Sequence, residues 1–316
     1  MSVLKSDMSV FKGKRVFMTG GSRGIGKAIA VKLASHGAWV AIAAKTATPH
    51  PKLPGTIYTA AAEIEAAGGR ALPLVCDIRD EAAVAAAIDA TVDAFGGIDV
   101  VINNASAIHL VGTLDTPMKR VDLMQSINSR GTYLTTKLAL PHLLEAGGGH
   151  VLNLSPPLNM EPKWFAGHTA YTMAKYGMSM CVLGMAAEFA DDNIAFNALW
   201  PFTAIYTAAV AMISGKDSRA ACRSVDIMAD AAALILAQDP QDCSGNFFVD
   251  ETILRMAGVT DFDRYACVPG TTSFIPDFFL SPADLLPKSK EEMADPRGLL
   301  SSSDPSTPSF SLPSNL

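Results

Sequence analysis

The sequence predicts an α/β fold: a doubly wound parallel sheet in one domain over residues 1–250, followed by a C-terminal extension over 251–316. Three observations predict it. Short apolar runs alternate with helical patterns over residues 15–249, which is how a parallel sheet covered on both faces is written. A glycine cluster stands between the first apolar run and the first helical pattern, the place where such folds bind phosphate. A chain of 316 residues that is 49% hydrophobic can also bury one large core.

The first strand is Arg15–Thr19, an apolar run that stops at glycine. The turn Gly20-Gly21-Ser22-Arg23-Gly24-Ile25-Gly26 leads into a helix patterned by Ile29, Ala30, Leu33 and Ala34. Free N–H groups and the dipole at that helix start favour an anion, and glycine lets a pyrophosphate approach the backbone. Trp39–Ala44 is the second strand. Residues 46–56 are Pro-rich and read as a surface loop. A helix over 57–67, a strand over 71–76 ending at Asp77, an Ala-rich helix over 81–95 and a strand over 99–102 follow. Asn103-Asn104-Ala105 ends that fourth strand at the sheet's carboxyl edge.

A long helix over 126–144 carries Asn128, and a fifth strand over 150–154 stops at Ser155 because Pro156-Pro157 cannot continue it. The next helix, 170–189, has Ala, Gly and Met on most sides, as a largely buried helix does. A sixth strand, 194–200, ends at Pro201. Residues 203–218 lack clear periodicity and fit either a flap over an apolar pocket or a short packed helix. A helix over 227–238 and a last strand over 245–249 complete the domain, Pro276-Asp277-Phe278-Phe279-Leu280 is expected to pack on it, and 281–316 is Pro/Ser-rich and expected to be loose.

Composition excludes several classes of function. The net charge is −6 and no basic run is interleaved with aromatics, so nucleic acid is not an expected partner. Five Cys without any Cys-x-x-Cys suit reduced thiols rather than a disulfide frame, and no metal site is expected. No stretch of about 18 uninterrupted apolar residues and no signal-peptide core occur, so a soluble intracellular protein without a membrane span is expected.

Tyr171 and Lys175 are four residues apart on one helix and therefore share a face. A phenol of pKa about 10 exchanges protons poorly near neutrality, and a neighbouring ammonium moves it toward the working range. At the end of the second strand, where an acid would select NAD, the chain reads Ala44-Lys45-Thr46. Lys45 and Arg23 are then either ligands for a ribose 2′-phosphate, which makes NADP the expected cofactor over NAD, or two solvated surface cations.

Through Thr19 to Gly26, Asp77, Asn103-Asn104-Ala105, Asn128, Ser155 and Tyr171-x-x-x-Lys175, the chain resembles the short-chain dehydrogenase/reductase family of Rossmann folds over about residues 11–250. The resemblance implies that Tyr171 is the general acid/base, that Lys175 lowers its pKa and binds the nicotinamide ribose, that Ser155 orients the substrate oxygen and that Asn128 helps hold a relay water. It further implies cofactor contacts from Gly20, Ser22, Arg23, Gly24, Ile25, Gly26, Lys45, Asp77, Asn104, Ala105 and Pro201, with Asp77 at the adenine. Three departures stand out: Ser106 and Phe202 replace glycines usual in the family, and the Ser155-to-Tyr171 interval is slightly long.

The expected function is reversible reduction of a hydrophobic carbonyl to an alcohol, with a lipid-like substrate body lying against Met160, Trp164, Phe165, Trp200, Phe202 and Tyr206. A nucleotide-binding sensor or scaffold with little catalysis, and an enoyl-thioester reductase on the same fold, are the alternatives. A homodimer or homotetramer through the two long helices is expected. The final Ser314-Asn315-Leu316 resembles a peroxisomal address, the other expected locations being cytoplasm and mitochondrion. If Arg23 and Lys45 hold a 2′-phosphate, charge-assisted contacts of about 1.5–3 kcal/mol make NADPH bind roughly ten- to a hundredfold more tightly than NADH. Fluorescence titration of both cofactors checks this, and equal or tighter NADH binding would refute it.

Overall fold

The computed structural model describes Leu4 and residues 7–50 and 53–294. Its strands are β1 (Arg15–Thr19), β2 (Trp39–Ala44), β3 (Arg70–Val75), β4 (Val100–Asn103), β5 (Gly149–Asn153), β6 (Ile194–Trp200) and β7 (Phe247–Val249). They form one sheet in the order β3-β2-β1-β4-β5-β6-β7, with every pairing parallel. The strand order reverses between β1 and β4, so their carboxyl ends flank the crevice in which open α/β sheets bind ligands.

Each face is covered because strand side chains alternate. Val16 and Met18 of β1 point into one core, shared with α1 (Gly24–Ala34), α2 (Ile57–Ala66) and α8 (Asp226–Leu236), the last named ahead of α3 to α7 below. Phe17 points into the other core, with α3 (Glu81–Phe95), α5 (Gly131–Glu145) and α6 (Thr169–Glu188). A third, smaller cluster of Met124, Tyr171, Ala174, Tyr176, Trp200 and Phe279 sits apart from both.

The helix expected over 126–144 begins eight residues earlier, as α4 (Met118–Met124), and passes through a π-helical turn, Gln125–Arg130, into α5. Pro117 presets the helix entry, and the wider turn breaks the 3.6-residue pattern that would have shown one continuous element. Residues 203–218 contain a short helix, α7 (Ala208–Ser214), whose first turn is capped by the Thr207 hydroxyl accepting from Val210 N at 3.3 Å. After β7 the chain stays in the core: α9 (Asp250–Met256) buries Ile253 and Leu254, and Phe262, Tyr265, Phe279 and Met293 are buried beyond it. These segments are short and interrupted by Pro and Gly, so no periodicity announced them. The last helix is α10 (Lys290–Ala294), and residues 295–316, with Ser314-Asn315-Leu316, lie outside the described residues.

A buried amide network binds the sheet's carboxyl edge to the helices. Asn103 Nδ2 donates to Asn153 Oδ1 (2.9 Å) and Thr136 Oγ1 (3.0 Å), while Asn153 Nδ2 donates to the Met178 carbonyl (3.0 Å). Truncating Asn153 orphans partners on β4 and α6 together. We expect Asn153→Ala to cost about 2–4 kcal/mol of stability, an orphaned buried polar group costing about 1–3 kcal/mol each. Urea unfolding checks this, and a change below about 0.5 kcal/mol, the size of an ordinary surface substitution, would contradict it.

Candidate active site

The glycine turn is held from below by β4. Asn104 Nδ2 donates to the carbonyls of Thr19 (3.2 Å) and Gly20 (2.9 Å), and the Thr19 hydroxyl accepts from the N–H groups of Asn104 and Ala105. Glycine is required by this closeness: a β-carbon on Gly26 would lie 2.4 Å from Asn104 Nδ2, and one on Gly20 would lie 2.8 Å from the Ala105 backbone. Arg23, the residue capping α1, makes no side-chain bond to the first turn, so Gly24, Ile25 and Gly26 keep N–H groups uncapped by it. Ser22 is buried beneath the turn, and Thr207, which sequence reasoning missed, reaches over Gly24 from the chain beyond β6.

The expected cofactor cations lie at the β2 end of this crevice. Arg23 Nη2 donates to Thr46 Oγ1 (2.9 Å) and the Gly55 carbonyl (3.3 Å), while its buried Nε has no hydrogen-bond partner among the described residues. Lys45 is 58% exposed, with Nζ 3.4 Å from Asp77 Oδ2. Asp77 is held chiefly by Arg79, whose guanidinium contacts it at 2.6 Å and keeps its carboxyl well below the usual range. An uncapped helix start, a guanidinium nitrogen unpaired among the described residues and an exposed ammonium beside a carboxylate are groups that would fit a dinucleotide.

The four expected catalytic residues lie on α6, just past the end of β5 and in the π-helical turn. Tyr171 and Lys175 lie one turn apart on α6, and Ser155 follows β5 with its buried hydroxyl unpartnered among the described residues. Asn128, in the π-helical turn, clamps the loop after β4: its Oδ1 accepts from Ala107 N (2.8 Å) and its Nδ2 donates to the Ala107 carbonyl (3.0 Å). Its neighbour Ser129 donates to the Ala174 carbonyl at 2.9 Å, tying that turn to α6 beside Lys175.

Burial dominates the site's electrostatics. Lys175 donates to the Leu154 carbonyl at 2.8 Å and lies 5.3 Å from the Trp200 ring centre. Desolvation pushes its pKa down to about 7, opposed by the negative charge of Asp277. The Tyr171 phenol is 5% exposed, and its pKa is raised by burial first and Asp277 second. This differs from the lowering expected of a Lys neighbour, because the ammonium is itself desolvated and directed at a carbonyl. Asp277 is pushed up to about 6, also by burial, with Phe278 N–H and Lys175 pulling it down.

An aromatic shell encloses the phenol. Phe279 lies 6.3 Å from the Tyr171 ring centre and within 5.3–5.9 Å of Tyr176, Trp200 and Trp164. Of the expected substrate wall, Trp164, Phe165 and Trp200 are therefore present in this cluster, Phe165 packing edge-on against Tyr176 at 5.5 Å. Met160 is 68% exposed, Tyr206 faces Arg219, and Phe202 uses its backbone N–H on the Asp250 carboxylate (2.8 Å). Tyr176, Asp277 and Phe279 were missed; the Phe278-Phe279 pair in a Pro-rich stretch was the available signal.

Comparison with known proteins identifies the family of the chain. The short chain dehydrogenase family model matches residues 14–217. The chain is 59% identical over 295 residues to Hydroxysteroid dehydrogenase-like protein 2 of Danio rerio, covering 93% of this chain and 70% of that one. It is 59% identical over 268 residues to the protein of the same name from Homo sapiens, covering 85% and 63%. The chain thus spans about two thirds of the length of these curated relatives. Among solved structures, a short chain dehydrogenase of Mycobacterium thermoresistibile superposes with a TM-score of 0.80 at 49% identity, covering 89% of this chain and 97% of that one. A 7α-hydroxysteroid dehydrogenase in complex with NADH and 7-oxo glycochenodeoxycholic acid superposes at 0.65 with 26% identity, covering 78% and 95%. On sequence and fold alike, this chain belongs to the short-chain dehydrogenase family.

Proposed function

We propose that the protein is an NADP-dependent oxidoreductase that interconverts an alcohol and a carbonyl on a hydrophobic, lipid-like substrate. The observation that carries this reading is the burial of the Tyr171 phenol in a cluster with Trp200 and Phe279, one turn from Lys175, whose ammonium donates to the Leu154 carbonyl (2.8 Å) next to Ser155, a residue whose buried hydroxyl is unpartnered among the described residues. When bound, the nicotinamide would supply the hydride in reduction or accept it in oxidation. In reduction, oxygen charge develops on the substrate, and the two hydroxyls are the donors that would meet it. Tyr171 gives its proton to that oxygen, leaving a phenolate that Lys175, one turn away, stabilises and that solvent reprotonates. Oxidation runs the same transfer backward. Gly20, Gly24, Ile25 and Gly26 would hold the pyrophosphate, and Arg23 and Lys45 the 2′-phosphate. Lys175 would hold the ribose, with Asn104, Ala105 and Pro201 along the cleft.

The lipid-like class is supported by the apolar lining and by the sterol-type ketone bound to the 7α-hydroxysteroid dehydrogenase above. Assembly as a homodimer or homotetramer belongs to the same reading, supported by the exposed Tyr133 on α5 and Met173 and Met180 on α6. Peroxisomal delivery through Ser314-Asn315-Leu316 is the corresponding proposal for location. A sensor or scaffold role draws on the burial of Tyr171 behind Phe279.

Turnover separates these readings. Tyr171→Phe should lower kcat/KM for carbonyl reduction by roughly a hundred- to ten-thousandfold while leaving NADPH affinity within about twofold, because the phenol acts on the substrate oxygen alone. Lys175→Ala should weaken both. Steady-state kinetics with fluorescence titration of NADPH makes the comparison; retained activity in Tyr171→Phe would remove the assignment, and cofactor binding without wild-type turnover would favour the sensor.

A further inference from the structure

The chain that leaves β6 crosses the crevice before it reaches α7. It starts at Pro201, just past β6, and a β-carbon built on Gly24 would meet the Thr207 methyl group at 3.5 Å, so residues 201–207 reach from the sixth strand to the glycine turn. This crossing belongs to no helix or strand and is held by bonds from other segments. On one side, Phe202 N donates to Asp250 Oδ1 (2.8 Å), Arg223 N to the Ala204 carbonyl (3.0 Å) and Tyr206 N to the Arg223 carbonyl (2.9 Å). Asp277 N donates to the Phe202 carbonyl (3.1 Å), and Ala204 N to the Ile275 carbonyl (2.9 Å).

Two adjacent acids at the start of α9 underlie the first set of bonds. Asp250 is fully buried; its Oδ1 accepts from Phe202 N and from Glu251 N (2.6 Å), and its Oδ2 is unpartnered among the described residues. Glu251 ion-pairs with the buried Arg223, whose guanidinium lies 5.5 Å and 4.8 Å from the ring centres of Phe262 and Phe274. Asp250 therefore fixes the start of the crossing, and Glu251 fixes its middle through Arg223. Removing the Asp250 acceptor would leave the Phe202 N–H unpaired unless the crossing shifts toward water. We propose that Asp250 and Glu251 are positioning residues that hold residues 202–206 across the cofactor crevice, so that cofactor affinity depends on two carboxylates acting through the backbone. The inference rests on the reading above, in which Pro201 and the glycine turn line the cofactor cleft, and it adds the residues that keep the chain between them in place.

The test uses the full chain and three variants. Asp250→Ala removes the acceptor, whereas Asp250→Asn keeps an oxygen for the Phe202 N–H and suits a site where burial already pushes the carboxyl up to about 7. Glu251→Ala releases Arg223. Each protein is titrated with NADPH and with NADH by fluorescence, its thermal melting is followed, and amide hydrogen exchange without cofactor is compared between residues 201–207 and residues 15–30. Asp250→Ala should weaken the tighter-binding cofactor about tenfold or more and speed exchange over 201–207 by a similar factor, with 15–30 changed less than about twofold. Asp250→Asn should stay within about threefold of wild type on both measures, and Glu251→Ala should lose about threefold or more in affinity. A cooperatively melting Asp250→Ala with affinity within about twofold of wild type overturns the proposal. So does exchange that rises equally over both segments, the mark of a merely structural role, or an Asn variant no better than Ala. Should Asp250→Ala fail to fold, Glu251→Ala decides, an unchanged affinity overturning the proposal. A wild type that binds neither cofactor overturns it as well. The predicted losses of binding without turnover of any carbonyl by wild type would instead defeat the oxidoreductase reading and leave the positioning role standing.

Discussion

The Asn103-Asn104 pair at the end of β4 is the constraint on which the geometry of both halves of the crevice depends. The Asn103 amide reaches one way, to Asn153 and Thr136, and through Asn153 to the Met178 carbonyl on α6. The Asn104 amide reaches the other way, to the carbonyls of the glycine turn. Two adjacent side chains therefore tie both the glycine turn and the helix that carries Tyr171 and Lys175 to the end of β4. Buried amides suit this role, since a misplaced helix would leave them unpaired at a cost of about 1–3 kcal/mol each. Packing alone offers no comparable penalty for a small slip.

On that frame, burial supplies the electrostatics. Lys175 is brought down to about 7 and Asp277 up to about 6, so two groups that ordinarily titrate far from neutrality do so near it, beside the phenol. The Lys175 ammonium therefore sits in a region where little water competes. Trp200 lies over it at 5.3 Å, and the buried Ser155 hydroxyl, unpartnered among the described residues, would be a second donor in the proposed reaction.

The strands, the glycine turn and the Tyr171–Lys175 face were legible because each is written in a local pattern: an apolar run, a cluster of glycines, a spacing of four. Long-range closure was not. The Phe278-Phe279 pair marks a segment expected to pack on the domain but not that it returns to α6, since the link is made by backbone hydrogen bonds to residues 202–204 and by an unusual φ. The π-helical turn around Asn128 hid the true start of its helix for the opposite reason, by corrupting a local pattern that was present. The ion-pairing of Asp77 by Arg79 was likewise open to inspection two residues away, yet its effect on the adenine end depends on a side-chain conformation.

A crystal structure with NADP and a long-chain ketone inhibitor bound tests the whole account most directly. It predicts the ketone oxygen within about 3 Å of both Tyr171 Oη and Ser155 Oγ, the distance proton transfer requires. A ketone bound away from Tyr171, or an oxygen held by neither hydroxyl, would contradict it.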